Sequence, residues 1–218
     1  VFDPRPLTGA CYDAFYCGSI NKLRGSAAAK RLEVTLMHRA GNSPCKAFLV
    51  GTSGSGKSTE METLRRAVDS SYETLVISVR ESLNITSFEP FDFLFLVATQ
   101  IAERTHHLCD GETSSPELLR QLSFYGAEAS EYEKSSSQSD YGFGLGGKTG
   151  TPDIFGIFKF FAEVRSSLRF AQSKETIRRL YTPSRMSDLS KLVNQIVGEC
   201  GQILREKTGR DWLVIGED

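Results

Sequence analysis

Residues 51–58 read Gly51-Thr52-Ser53-Gly54-Ser55-Gly56-Lys57-Ser58, a glycine followed after four residues by Gly-Lys-Ser. This is the pattern of a phosphate-binding loop, and it is informative only where a strand precedes it and a helix follows. The apolar run 47–50 predicts a short buried strand, and the spacing over 58–68 predicts a helix. The surroundings therefore favour a site for a nucleoside triphosphate.

The residue types in the loop suit a polyanion. Glycines lack a Cβ, so the main chain can curl around phosphate oxygens and adopt positive φ, while a helix start adds unpaired amides and a positive dipole end. Lys57 is expected between the β- and γ-phosphates, Ser58 on Mg²⁺ and Thr59 on the α-phosphate. The complete phosphate-binding set is Gly51, Thr52, Ser53, Gly54, Ser55, Gly56, Lys57, Ser58 and Thr59.

The helix after the loop is predicted to be amphipathic. Met61, Leu64 and Val68 fall on the side that would face a sheet. Glu62, Thr63 and Arg66 fall on the opposite side, which is predicted to face water.

A second stretch, residues 142–149, also fits the loop pattern, but its surroundings differ. It follows the Ser-rich residues 135–140 rather than a strand, and the Gly-Thr-Pro sequence after it opposes a helix. Lys148 is therefore predicted to lie in a flexible Ser/Gly-rich excursion at about 129–152 and to bind no phosphate.

Length and composition suit one globular core. The 218 residues suffice for a sizeable core, and hydrophobic and charged contents of 39% and 24% are ordinary for such domains. A formal charge of −1 gives no electrostatic argument for nucleic acid as a partner. Five cysteines without a Cys-x-x-Cys pair, and apolar runs too short for a transmembrane segment, favour a cytoplasmic location.

Two segments are distinguished along the chain. Residues 1–45 are interpreted as an irregular stretch with a helix over about 20–39, and residues 46–218 as the nucleotide-binding core. Because the chain starts at Val1 and its last apolar run ends just before Asp218, it is expected to be a piece of a longer protein.

Strands and helices alternate in the core. Residues 74–79 and 212–215 predict two further strands, since they are apolar and β-branched. The alternation predicts an α/β fold, a P-loop NTPase-type parallel sheet with helices on both faces, truncated after the acidic strand. The helix starts predicted between the strands are Pro90, Pro116 after a Ser115 cap, Ile154 and a long helix capped by Ser187.

Hydrolysis needs an acid near the phosphates, usually at the end of a neighbouring apolar strand. Residues 212–218, Trp-Leu-Val-Ile-Gly-Glu-Asp, have that form. Glu217 or Asp218 would hold Mg²⁺ together with Ser58, and the other acid would polarise the attacking water. The candidate catalytic set is Lys57, Glu217 and Asp218, and an ordinary acidic turn after a strand is the alternative.

With these motifs the chain resembles the AAA/STAND class of P-loop ATPases, which has NACHT- and KAP-like members. The resemblance rests on residues 48–59, on residues 80–84 after the second strand, and on residues 213–218 after a long helix. It implies a switch-type ATPase in which ATP or ADP, with Mg²⁺, controls conformation or assembly with other protein domains or protomers. Residues 15–19 lie where such proteins carry a segment that contacts adenine. The sensor residue, arginine finger and helical lid of the class are expected beyond Asp218.

Three functions fit this pattern. The first is an ATP-binding and ATP-hydrolysing regulatory module of a larger AAA/STAND-like protein. The second is a nucleotide-binding interaction scaffold with negligible turnover, and the third is a small-molecule kinase. Steady phosphate release would separate the first from the second, because turnover needs the acid as well as the loop.

Overall fold

The computed structural model describes most of the chain, in two compact units, Val1–Thr74 and Leu75–Asp218, each of which is described by itself. The described residues are 7, 9–19, 28–38, 45–52, 54–83, 89–136, 154–170 and 183–217. The helices are α1 (Gly9–Phe15), α2 (Ala28–Met37), α3 (Lys57–Val68), α4 (Val79–Ser82), α5 (Pro90–Leu108), α6 (Pro116–Ser136), α7 (Ile154–Phe170) and α8 (Pro183–Thr208), and the strands are β1 (Tyr72–Ser78) and β2 (Asp211–Glu217).

The first unit is built around α3, which begins at Lys57 directly after the glycine loop and confirms the predicted helix. Its apolar side buries Leu64 and Val68, as the spacing predicts. Helix α2 packs against α3, and the Tyr72 hydroxyl donates a 2.9 Å hydrogen bond to the carbonyl of Leu36 in α2. These contacts hold the helix that follows the loop on a packed support.

The strand predicted over residues 47–50 is not formed. Residues 45–50 have neither helical nor strand structure, and Phe48 and Val50 are 92% and 89% exposed. A strand needs a neighbour with which to exchange main-chain hydrogen bonds, and in the described part of the chain the sheet consists of β1 and β2. Residues 47–50 therefore have the composition of a strand but lack a paired neighbouring strand.

The second unit has a helical core. Helices α5 and α8 pack together at its centre, and α6 and α7 pack onto them. The rings of Phe91 and Phe95 lie 5.7 Å apart, and Phe161 of α7 meets Phe95 edge-on at 5.6 Å. The buried cluster comprises Ile77, Leu83, Phe91, Phe95, Leu96, Ala98, Ile101, Ala102, Leu119, Leu122, Phe161, Val164, Leu189, Leu192, Val193, Ile196 and Cys200.

Strands β1 and β2 pair in parallel and confirm the strands predicted at 74–79 and 212–215. Ile77 in β1 and Ile215 in β2 are buried. The described chain is mostly helical with this small parallel sheet, so the larger P-loop-type sheet with helices on both faces stays a prediction.

Helix starts in the second unit follow local signals. Helix α5 begins at Pro90 and α6 at Pro116, both as predicted. The Leu118 amide donates a 3.5 Å hydrogen bond to Ser115 Oγ, which caps α6. No helix among the described residues is both long and apolar enough to cross a membrane.

Two helices extend further than the sequence predicts. Helix α6 continues to Ser136, so the excursion expected from about residue 129 does not begin there, and residues 137–153 lie outside the described part. Helix α8 begins at Pro183, so Ser187 lies inside the helix rather than at its cap. Proline at a first helical position is a start signal as strong as a serine cap, because its φ is already helical.

Candidate phosphate-binding loop

The loop curls back on itself through two left-handed glycines. Gly54 has φ +75° and Gly56, the residue before α3, has φ +84°. The Ser55 amide donates a 3.2 Å hydrogen bond to the Thr52 carbonyl, which closes the turn. An added Cβ on Gly51 would lie 2.8 Å from Ser55 Oγ, so a side chain there would force the serine to move. The glycines therefore stand where the main chain needs them.

Lys57 folds over the loop that precedes it. Its Nζ donates hydrogen bonds to the carbonyls of Gly51 at 2.9 Å and Thr52 at 3.1 Å. An ammonium group has three donors, and these two bonds use two of them. The positive charge is thus placed beside the loop's first residues and at the start of α3, where the helix dipole is also positive.

The remaining loop residues differ in how far they are exposed. Ser58 and Thr59 are half-buried in the first turn of α3, and Thr59 Oγ1 accepts a 3.4 Å hydrogen bond from the Leu7 amide. Gly51, Thr52, Gly54 and Ser55 are exposed. Ser53, the one other member of the predicted set, lies outside the described residues.

The acidic residues belong to the second unit. Glu217 is the last residue of β2 and is half-buried, whereas Asp218 lies outside the described residues. The described loop residues lie in the first unit, and Glu217 lies at the end of β2 in the second unit. Among the described residues, no three His, Cys, Asp or Glu side chains form a group that could hold a metal ion.

The side of α3 that carries Glu62, Thr63 and Arg66 was predicted to face water, and this prediction is wrong in part. Tyr12 OH lies 2.9 Å from Thr63 Oγ1, and Arg66 Nη2 donates a 3.0 Å hydrogen bond to the Gly9 carbonyl. Burial raises the pKa of the Tyr12 hydroxyl. Helical spacing predicted which residues share this side of α3, but no local signal in the sequence indicated that the N-terminal segment packs on it.

Glu62 departs most from the predicted exposure, because it is only 8% exposed. Arg65 forms two hydrogen bonds to its carboxylate, at 2.7 and 2.8 Å, and Arg66 Nε forms a third at 2.7 Å. The two hydrogen bonds from Arg65, and then the one from Arg66, lower the pKa of Glu62 from 4.5 to about 2 against the opposing effect of burial. Because two guanidinium groups donate to it, the Glu62 carboxylate can stay charged while it is buried.

No protein-family model, curated protein or solved structure matches this chain. The case for the loop therefore rests on its own chemistry. A bent glycine backbone, a lysine ammonium and a helix start lie together at this loop, and these are groups of the kind that bind phosphate. The second pattern match at 142–149 lies outside the described residues.

Proposed function

We propose that the chain is an ATP-binding and ATP-hydrolysing regulatory module of the AAA/STAND type, built on a P-loop α/β fold. The observation that carries the proposal is the geometry of residues 51–59. Two left-handed glycines bend the loop, and Lys57 Nζ lies 2.9 Å from the Gly51 carbonyl across it. This arrangement supports a polyphosphate as the ligand.

The electrostatics of the loop favour this ligand over a neutral one. In the bound state Lys57 would exchange its two carbonyl acceptors for phosphate oxygens, which replaces neutral hydrogen bonds by charge-assisted ones. The amides of the loop and of the first turn of α3 would add donors along the phosphate chain. The Thr59 hydroxyl would donate to the α-phosphate.

Hydrolysis adds a metal and an acid to this site. Ser58 offers a hydroxyl oxygen directly after Lys57, and Glu217 or Asp218 offers a carboxylate, which are ligand types that Mg²⁺ accepts. When bound, the metal neutralises charge on the β- and γ-phosphates. One of the two acids would orient the attacking water, and Lys57 would stabilise the charge that develops on the γ-phosphate.

Calorimetric titration with Mg²⁺ and ATP tests nucleotide binding. Lys57→Ala is expected to abolish binding or to weaken it by about 3 kcal/mol or more, because the phosphates lose their charged partner. Lys148→Ala, in the second pattern match, is the matched control and is expected to keep the affinity of the unchanged chain. Unchanged affinity in Lys57→Ala would refute the proposal, and a comparable loss in Lys148→Ala would transfer it to the other loop.

Phosphate release separates hydrolysis from binding alone. We expect steady release from Mg–ATP, with Glu217→Gln or Asp218→Asn reducing the rate at least about tenfold while ATP still binds. Negligible release by the unchanged chain at saturating ATP would leave the interaction scaffold or the small-molecule kinase as the function. Release that neither acid variant lowers would remove these residues from the catalytic set.

A further inference from the structure

The N-terminal segment, described at Leu7 and at residues 9–16, packs on the helix that carries the candidate phosphate site. Thr59, Thr63 and Arg66 are spaced four and three residues apart, so they form one stripe along α3. The Leu7 amide donates a hydrogen bond to Thr59, and the Tyr12 hydroxyl is hydrogen-bonded to Thr63. The third, Arg66, is held by the Gly9 carbonyl, the Asp13 carboxylate and the Tyr12 ring, whose centroid lies 4.3 Å from the guanidinium carbon.

The direction of these hydrogen bonds follows from the number of protons. The Thr63 hydroxyl donates its one proton to the Thr59 carbonyl at 3.0 Å, so the Tyr12 hydroxyl must be the donor to Thr63. The Leu7 amide occupies one lone pair of Thr59 Oγ1. Because a hydroxyl that accepts one hydrogen bond can still donate its own proton, this bond is compatible with donation from Thr59 to a phosphate oxygen.

The N-terminal segment buries little surface on α3, so small changes can shift the equilibrium between its packed and released states. Helix α1 has seven residues and buries none of them. A helix of this length is unstable in isolation, since too few hydrogen bonds offset the loss of backbone entropy. The contacts with α3, together with the stacking of Tyr12 on Tyr16 at 4.4 Å between ring centroids, are what hold it in the described part of the chain.

We propose that Leu7 and residues 9–16 form a latch whose packing on α3 is coupled to occupancy of the phosphate loop. This rests on the proposed function and names how the site is regulated. The Leu7 amide contacts Thr59 in the first turn of α3, and a bound nucleotide would contact the same hydroxyl, so each would favour the other and the coupling would be reciprocal. A partner that pulls the segment away would lower ATP affinity, and nucleotide loss would release the segment.

The test combines hydrogen exchange with titration of the full chain, using Mg²⁺ and a non-hydrolysable ATP analogue as the probe. The analogue is expected to slow amide exchange in residues 9–16. Tyr12→Phe and Asp13→Asn are expected to weaken analogue binding about two- to tenfold, the effect of one hydrogen bond or exposed ion pair, and to speed that exchange. Tyr72→Phe, which also removes a tyrosine hydroxyl bonded within the first unit, is the matched control and should bind as the unchanged chain does.

The outcomes distinguish the latch from the proposed function. Analogue binding with unchanged exchange in residues 9–16 and with full affinity in both latch variants would overturn the latch and leave nucleotide binding intact. Weakening by Tyr72→Phe equal to that by Tyr12→Phe would also overturn it, because the effect would then be general destabilisation. Absence of binding by the unchanged chain would overturn both.

Discussion

At Gly56 the backbone has φ +84°, a left-handed conformation that places the first amides of α3 next to the loop. An alanine there is disfavoured by about 1–2 kcal/mol, because its Cβ approaches the following carbonyl. Gly56→Ala is expected to weaken ATP affinity about five- to thirtyfold in calorimetry. Gly198→Ala, at a helical glycine with no atom within 4 Å of an added Cβ, is the control and should keep full affinity. Full affinity in Gly56→Ala would show that the left-handed turn is not part of the site.

Glu62 makes the first unit sensitive to acid. Its pKa is lowered from 4.5 to about 2 in the folded chain, so its stabilising contribution is complete above pH 4.5 and is lost as the pH falls toward 2. At pH 7 this contribution is about 3 kcal/mol at most. Glu62→Gln should lower the free energy of unfolding in urea at pH 7 and should differ less from the unchanged chain as the pH falls below 4.5.

Glu117→Gln is the control for this measurement, because its carboxylate is 59% exposed and pairs with Arg120 at the surface. Such pairs contribute about 0–1 kcal/mol, so little change is expected at any pH. A deficit in Glu62→Gln that is the same at pH 7 and at pH 3.5 would contradict the depressed pKa.

At the scale of single helices, two glycines in helix interiors are expected to respond to alanine with opposite signs. A Cβ on Gly126 of α6 would lie 2.9 Å from Phe95 Cε2 and 3.3 Å from Phe160 Cε1, whereas one on Gly198 of α8 would meet nothing. Gly126→Ala should destabilise by about 1–3 kcal/mol through overpacking, and Gly198→Ala should stabilise by about 0.5–1 kcal/mol through lower backbone entropy when unfolded. Urea unfolding measures both, and equal signs would contradict the packing of α6.

The sequence predicts where helices begin and end better than it predicts which segments pack against them. Pro90 and Pro116 start helices through local backbone chemistry, and Gly209, with φ +72°, ends α8 in the same way. Residues 47–50 and Glu62 could not be predicted, because pairing and burial depend on which distant segment lies alongside. The loop itself was predictable, since its glycine positions answer a local need for positive φ.

At the scale of the whole chain, stability is expected to be unequal between the two units. Most of the fully buried rings and aliphatic side chains lie on α5, α6, α7 and α8 in the second unit, whereas Ala29 is the one buried residue of α2 in the first. The slowest amides in native-state hydrogen exchange should therefore lie in α5 and α8, because their exchange requires opening of that core. Protection of α2 equal to that of α5 would contradict this distribution.

The most direct test of the nucleotide site is a crystal structure of the full chain with Mg²⁺ and a non-hydrolysable ATP analogue. We expect the β- and γ-phosphates inside the loop at residues 51–58, with Lys57 Nζ moved from the Gly51 and Thr52 carbonyls to within about 3 Å of phosphate oxygens. A loop that stays empty at saturating analogue, or phosphates bound at residues 142–149 instead, would contradict the account.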